Sequence, residues 1–432
     1  MKSFTYVVKS PLGIHARPAA LLAQGCVGLN SQVTIRYDDK TADGSNVLQI
    51  LALHAGMGAT LEITAEGGDE DAALATVKTV LEEAYRSRRK ADVLKIAFFG
   101  TKDYDRIFFS ELTRDRGEGA YNCEIKYFST RLTPETAHFA RGFDAVCIFV
   151  NDECPRAAVE TLRECGVKLI LLRCAGFNNV DLKACRECGI TVLRVPAYSP
   201  YAVAEHAMSI LMTANRRLHK AVNKVRENNF ALSGLLGFDL HNKVAGIVGT
   251  GKIGVCMARI CKGFGMTVLG WDAYPNKALE DEGLLTYVDK DELFERADLI
   301  SLHAPLIMGA GGTYHIIDDR ALNLMKDTAM LVNTTRGGLI DTEALIAALK
   351  GGKFHAVALD VYEGEDENVY TDHSDDYLDN DITARLQMFP NVVLTSHQAF
   401  FTREALQAIA TETLDNARNF MQGLPYGVHE VK

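Results

Sequence analysis

The run Val244-Ala-Gly-Ile-Val248 leads directly into Gly249-Thr-Gly251-Lys252-Ile253-Gly254, and Ile253 to Phe264 then reads as a helix. A short apolar run of this kind suits a strand buried on both faces of a parallel sheet. The glycines permit a tight turn out of the strand, and strand, glycine turn and helix in that order open a doubly wound α/β sheet. The glycines also let a pyrophosphate approach the positive N-terminus of the helix closely. A further strand, Met266–Gly270, is followed by Asp272, about 18 residues beyond Gly254. A carboxylate there accepts hydrogen bonds from the adenosine ribose hydroxyls and repels a 2′-phosphate. No arginine follows closely in Tyr274-Pro-Asn-Lys277, so the pattern favours NAD over NADP. The bland alternative is glycines that merely pack helix on strand, and the strand–turn–helix context argues against it.

The rest of the chain is organised around that unit. Its 432 residues allow two to four domains. Residues 1–88 alternate short strands (Phe4–Lys9, Val33–Tyr37, Thr60–Ala65) with helices (Ala16–Leu29, Val47–Leu53, Asp69–Arg86). The basic run Arg86-Ser-Arg-Arg-Lys-Ala-Asp92 reads as a solvated linker. From Val93 the pattern restarts with apolar runs at Leu94–Phe99, Ala145–Val150, Lys168–Leu172 and Thr191–Arg194, separated by helical segments. That is a first doubly wound domain. One long helix over about Ala202–Asn228 is expected to bridge it to a second α/β series running from Val244 to about Leu394, and Arg403–Gln422 closes the chain as a helix. The expected division is 1–88, then 92–197 together with 401–432, and 198–400.

Three later segments place charged groups at strand ends: Leu331-Val-Asn-Thr-Thr-Arg336, Val357-Ala-Leu-Asp360-Val-Tyr-Glu363-Gly-Glu365 and Val392-Val-Leu-Thr-Ser-His397. Ligands of open α/β sheets bind outside the carboxyl ends of the strands. An arginine there can fork onto a carboxylate. A histidine can give or take a hydroxyl proton, and an acid keeps that histidine charged and oriented. The set suits reduction of a 2-oxo acid.

With these segments, residues 93–432 resemble the D-isomer-specific 2-hydroxyacid dehydrogenase family, and within it the fermentative bacterial D-lactate dehydrogenases. Arg173-Cys-Ala-Gly-Phe-Asn-Asn-Val-Asp181, Val195-Pro-Ala-Tyr-Ser-Pro200, Ala204-Glu-His206 and Ser301-Leu-His-Ala-Pro305 carry the likeness further. The resemblance implies that Arg336 binds the substrate carboxylate and polarises the keto oxygen, that His397 is the acid/base and that Glu365 pairs with it. The backbone of Ala175 and Gly176 helps hold the carboxylate, and Tyr198 and Phe400 line a small pocket. Gly249, Gly251, Lys252, Ile253, Gly254 and Asp272 hold NAD, with Asp360 near the nicotinamide. Glu363 is a more peripheral acid, and His206 and His303 read as structural support. The implied fold has the coenzyme domain inserted into the substrate domain, and the implied assembly is a homodimer or homotetramer. One departure is Gly309-Ala-Gly-Gly-Thr313, where relatives carry a more polar loop.

Near the N-terminus, Gly13-Ile-His15-Ala-Arg17-Pro-Ala19 precedes a helix. A histidine just outside a helix N-terminus is well placed to carry a phosphoryl group, and Arg17 adds a fork donor. Residues 1–88 resemble the histidine-containing phosphocarrier protein (HPr) of the bacterial sugar phosphotransferase system, a small α+β open-faced sandwich. That implies phosphorylation of His15 at Nδ1, Arg17 supporting the phosphate and phosphotransferase enzymes as docking partners. Many relatives carry a regulatory serine where this chain has Asn46, with Ser45 beside it.

Composition narrows the remaining choices. A formal charge of -10 argues against nucleic acid and anionic membranes as partners. No apolar run reaches a membrane span, and the first residues move straight into a strand, so the cytoplasm is expected. Ten scattered cysteines form no disulfide framework, and Cys185-Arg-Glu-Cys188 reads as a helix end before Gly189, with no metal expected. Two rival readings stay open: a dehydrogenase for a bulkier 2-oxo acid, and a phosphocarrier or regulator that senses NADH without turnover.

Overall fold

The structure is a computed structural model that describes residues 1–8, 13–14, 16–86, 93–114, 121–365, 368–375 and 378–431. His15, the side chain of Arg17 and most of the Arg86–Asp92 joint lie outside the described residues. Compactness divides the chain into Met1–Leu94 with Asn122–Glu124, and Lys95–Tyr121 with Ile125–Lys432.

The first unit is an antiparallel sheet of β1 (Lys2–Val7), β2 (Ser31–Tyr37), β3 (Lys40–Asp43) and β4 (Thr60–Gly67), in the order β1-β4-β2-β3. Alternation in the strands puts Val33, Ile35, Leu61 and Ile63 on the buried face. Helices Ala16–Cys26, Val47–Ala52 and Glu70–Arg86 accompany the sheet, and Leu22, Ile50, Val77 and Leu81 share its core. Asn46 caps the short helix, its Oδ1 accepting from the amides of Leu48 and Gln49. The hydroxyl of Ser45 donates to Asp43 at 2.7 Å.

The second unit has two lobes, the compactness division leaving only the strand ends Leu94 and Cys123–Glu124 with the first unit. One is a five-stranded sheet of β5 (Leu94–Phe98), β6 (Cys123–Tyr127), β7 (Ala145–Ile148), β8 (Leu169–Leu172) and β9 (Thr191–Arg194), ordered β6-β5-β7-β8-β9. The other is a seven-stranded sheet of β10 (Val244–Val248), β11 (Thr267–Trp271), β12 (Thr286–Tyr287), β13 (Leu299–Leu302), β14 (Met330–Asn333), β15 (Ala356–Leu359) and β16 (Val392–Leu394). Its order is β12-β11-β10-β13-β14-β15-β16, and every pairing is parallel. Strand order reverses between β10 and β13, which opens a crevice at their carboxyl ends. The closing helix Arg403–Gln422 returns to the five-stranded lobe, where Leu406 and Ile409 join its core.

The expected single helix over 202–228 is two helices, Pro200–Asn215 and Leu218–Arg226. Ser199 caps the first and Pro200 occupies its first turn. The break falls at Arg217, in the left-handed region with φ 52. Neither glycine nor proline marks it. Tertiary bonds hold it instead: the fully buried Asn215 side chain bonds the Phe238 backbone on both sides, and Arg217 donates to the His355 carbonyl at 2.8 Å. Strand β3, Lys-Thr-Ala-Asp, went unread because it is short and mostly polar, whereas β6, Cys-Glu-Ile-Lys-Tyr, is short but carries the apolar–polar alternation of a strand. The Cys185–Cys188 segment does end a helix, closed by Gly189 at φ 69.

Candidate active site

Residues of the glycine loop leave little freedom. Gly249 has φ +91, and a Cβ there would lie 2.5 Å from the Ala304 nitrogen. A Cβ on Gly254 would lie 2.0 Å from the Gly249 carbonyl oxygen, while one on Gly251 would meet nothing within 4 Å. The loop is thus pressed onto the protein on one side and open on the other, at the N-terminus of the helix Lys252–Gly263. Asp272, just past β11, braces it: Oδ2 accepts from the Thr250 amide at 2.7 Å and from its hydroxyl at 3.1 Å, and Oδ1 accepts from the Tyr274 amide. An open, positively polarised rim beside a carboxylate fits the pyrophosphate and ribose of a dinucleotide.

Beyond this crevice, three strand ends converge. At the end of β14 the buried Asn333 organises the turn, accepting from the Thr335 amide at 3.0 Å and donating to the Arg336 carbonyl at 2.9 Å. Arg336 Nη1 donates to the Thr335 carbonyl at 2.6 Å. Its Nη2 lies over Gly176, where a Cβ would come within 2.7 Å. The Ala175 carbonyl accepts from Arg194 at 2.9 Å, which fixes the loop facing Arg336. Beneath that loop the buried Arg173 reaches Asp105 at 3.5 Å and the Gly100 carbonyl at 3.2 Å.

At the end of β16, His397 occupies the left-handed region with φ 48. Its Nδ1 lies 2.9 Å from Glu365 Oε1, while Glu365 Oε2 accepts from the Tyr362 amide at 3.1 Å. Asp360, at the end of β15, is fully buried and faces the same turn. It takes hydrogen bonds from the amides of Gln398 and Ala399, the hydroxyl of Thr395, and His206 Nε2 at 3.1 Å. Burial alone would raise its pKa, but the bonds from His206, Thr395 and Gln398 outweigh it and hold the carboxyl below its ordinary 3.8. Glu363 lies 2.9 Å from His315 Nε2 and borders the same cleft as Arg336, Glu365 and His397. His303 is buried after β13, its Nε2 2.8 Å from the Ser301 hydroxyl.

One cavity of about 140 Å³ gathers Ala175, Gly176, Tyr198, Arg336, His397 and Phe400 on its walls, together with Ile253 from the dinucleotide loop. Burial pushes the Tyr198 phenol up to about 12. Gly176, Arg336 and His397 also border a larger cleft of about 480 Å³ that reaches Glu365. Asp272 and Asp360 are not on either wall. Phe149, just past β7, and Tyr370 are among the other residues that line the small cavity, and both were missed in the sequence. Phe149 lies inside the apolar run Ala145–Val150 but just past the end of β7, so its place at a strand end could have flagged it. Tyr370 lies in a polar stretch with no periodic signal.

Comparison with known proteins fits this geometry. Residues 208–399 match the family described as D-isomer specific 2-hydroxyacid dehydrogenase, NAD binding domain. The D-lactate dehydrogenase of Escherichia coli (strain K12) is 47% identical over 330 residues, covering 76% of this chain and 98% of that protein. The chain belongs to the D-isomer-specific 2-hydroxyacid dehydrogenase family. The apo-structure of the Escherichia coli D-lactate dehydrogenase superposes with a TM-score of 0.70 at 46% identity, over 78% of this chain and 100% of that one. A D-lactate dehydrogenase from Aquifex aeolicus, complexed with NAD and lactic acid, gives a TM-score of 0.66 at 31% identity over 76% and 96%. The chain is therefore a 2-hydroxyacid oxidoreductase, and its seven-stranded lobe is the family's NAD-binding domain. Residues 2–83 match the family described as PTS HPr component phosphorylation site, in keeping with the small antiparallel unit. No helix among the described residues is long and apolar enough to cross a membrane.

Proposed function

We propose that the second unit reduces pyruvate to D-lactate with NADH. The observation that carries this reading is the joint facing of Arg336, His397 and the Ala175–Gly176 loop onto one cavity of about 140 Å³, room for a small 2-oxo acid. Arg336 forks onto the carboxylate and polarises the adjacent keto oxygen. The Ala175–Gly176 backbone bounds the far side of that carboxylate. When bound, NADH supplies the hydride. His397 gives a proton to the keto oxygen as charge develops there, and takes it back in the reverse direction. Glu365 holds Nδ1, which leaves Nε2 as the acid/base atom. Asp360 acts from behind by fixing the turn that carries His397, and Tyr198 and Phe400 limit the substrate side chain. Residues 92–197 with 401–432 serve as the substrate lobe and 198–400 as the coenzyme lobe.

A panel of 2-oxo acids with NADH tests the reading. Pyruvate is expected to lead, and His397→Ala to lower its turnover by roughly 10²–10⁴-fold. A parent preferring bulky 2-oxo acids supports the rival assignment, and a parent without turnover supports an NADH-sensing role.

We further propose that residues 1–88 form a phosphocarrier module, with His15 as phosphoacceptor and Arg17 as its support. The match at residues 2–83 favours this. Incubation with a phosphoenolpyruvate-charged phosphotransferase donor is expected to label the chain and not His15→Ala. All ten cysteines are free.

A further inference from the structure

The turn that carries His397 is held from three sides. Its amide donates to the Asp360 carbonyl at 2.9 Å, and its ring is held by Glu365. The third bond is remote in sequence: the Tyr370 hydroxyl donates to the His397 carbonyl at 2.7 Å. A histidine at φ 48 occupies a backbone region that side chains disfavour, so its position depends on such anchors.

Tyr370 is itself unusual. It lies between β15 and β16 of the seven-stranded sheet, yet its ring packs into the core of the five-stranded lobe. Ring centroids of Phe149 and Phe400 stand 5.7 and 6.4 Å away. Its φ is 62, again left-handed. Its carbonyl accepts from Lys102 Nζ at 3.1 Å. Lys102 follows β5 and directly precedes the helix Asp103–Arg114, whose Tyr104 meets Phe401 edge-on at 4.9 Å. Lys102 and the first turn of that helix therefore touch Tyr370 and Phe401, the two residues that flank the His397 turn.

We propose that Tyr370 and Lys102 form a positioning pair, in which Tyr370 seats the His397 main chain and Lys102, from the opposite lobe, seats Tyr370. The role rests on the reading of His397 as proton donor. Through the pair, the lobe that carries the carboxylate-facing loop Ala175–Gly176 also sets where the proton donor stands. Burial raises the Tyr370 phenol far above its ordinary range, so it remains a hydrogen-bond donor at all working pH values.

The test uses the full chain with pyruvate and NADH. Tyr370→Phe keeps the ring and removes only the hydroxyl. It is expected to lower kcat by about tenfold while the pyruvate KM stays within about threefold, because the lost interaction serves the reaction step and not ground-state binding. The primary isotope effect with NADH deuterated at the transferred position should rise, a signature that a general loss of stability does not produce. Lys102→Met is expected to act in the same direction, and Lys102→Arg to restore most of the rate. The double variant should lose no more than the worse single one, since both act through one segment. Should Tyr370→Phe unfold early, the Lys102→Met and Lys102→Arg pair decides alone. A Tyr370→Phe kcat within about twofold of the parent, or losses that multiply in the double variant, overturns the proposal. A parent that turns over no 2-oxo acid overturns the underlying reading and this role with it, an outcome distinct from an active parent matched by its variants.

Discussion

Replacing His303 by glutamine should remove a specific part of the acid sensitivity of the second unit. His303 is buried after β13, with Nε2 beside the Ser301 hydroxyl and Nδ1 without a hydrogen-bond partner among the described residues. Burial with no compensating charge pushes the imidazole from 6.5 down to about 4. The folded state thus binds the proton less readily than the unfolded chain. Its contribution to stability is fully present above 6.5 and is lost as pH falls toward 4. A tenfold change in proton affinity corresponds to about 1.4 kcal/mol, so the whole effect is about 3 kcal/mol, of which about 2 kcal/mol disappears between pH 7 and pH 5. Glutamine keeps a polar group for Ser301 and does not titrate. Trp271 is the only tryptophan and ends β11 of the same lobe, so its fluorescence reports this unit. Guanidinium unfolding of parent and His303→Gln at both pH values gives the comparison. The parent should lose about 2 kcal/mol more than the variant on acidification. Equal losses in the two proteins refute the reasoning.

Gly176→Ala places a methyl group against the Arg336 guanidinium, which can swing aside, so the fold should survive while the pyruvate KM rises about tenfold; steady-state kinetics with an unchanged KM would count against Arg336 as the carboxylate ligand. Asp272 should make the parent prefer NADH over NADPH by about tenfold or more in kcat/KM, and equal efficiency would show that charge at this position does not select the coenzyme. Phe230, Leu232 and Leu236 are 72%, 82% and 87% exposed beside the half-exposed Leu218, Val222 and Val225. We expect these exposed apolar side chains to be covered by a second copy of the chain. Light-scattering mass should correspond to at least two chains, and a single-chain mass contradicts it.

The order of strands, turns and helices was legible because it rests on local chemistry. Val244–Val248 has to be a strand buried on both faces, and Gly249 and Gly254 stand where any side chain would strike backbone. Arg336 and His397 could be picked out because each follows a buried strand, and a parallel sheet delivers all its strand ends to one edge; Glu365 is one of three acids after the same strand, and only the family resemblance singled it out. The break at Arg217 was not legible, since bonds from Asn215 to Phe238 and from Arg217 to His355 create it, and none of these partners is near in sequence. The same holds for Asp360. The resemblance places it near the nicotinamide, but only the tertiary structure shows which donors its carboxylate collects: His206, Thr395, Gln398 and Ala399. Tyr370 and Lys102 are the extreme case: 268 positions separate them, and only the packing of one lobe's segment into the other brings them together. Periodicity and turn chemistry depend on neighbours in the chain and so can be read from it. The direction of a buried polar side chain depends on which distant donors remain unsatisfied, and the tertiary structure alone decides that.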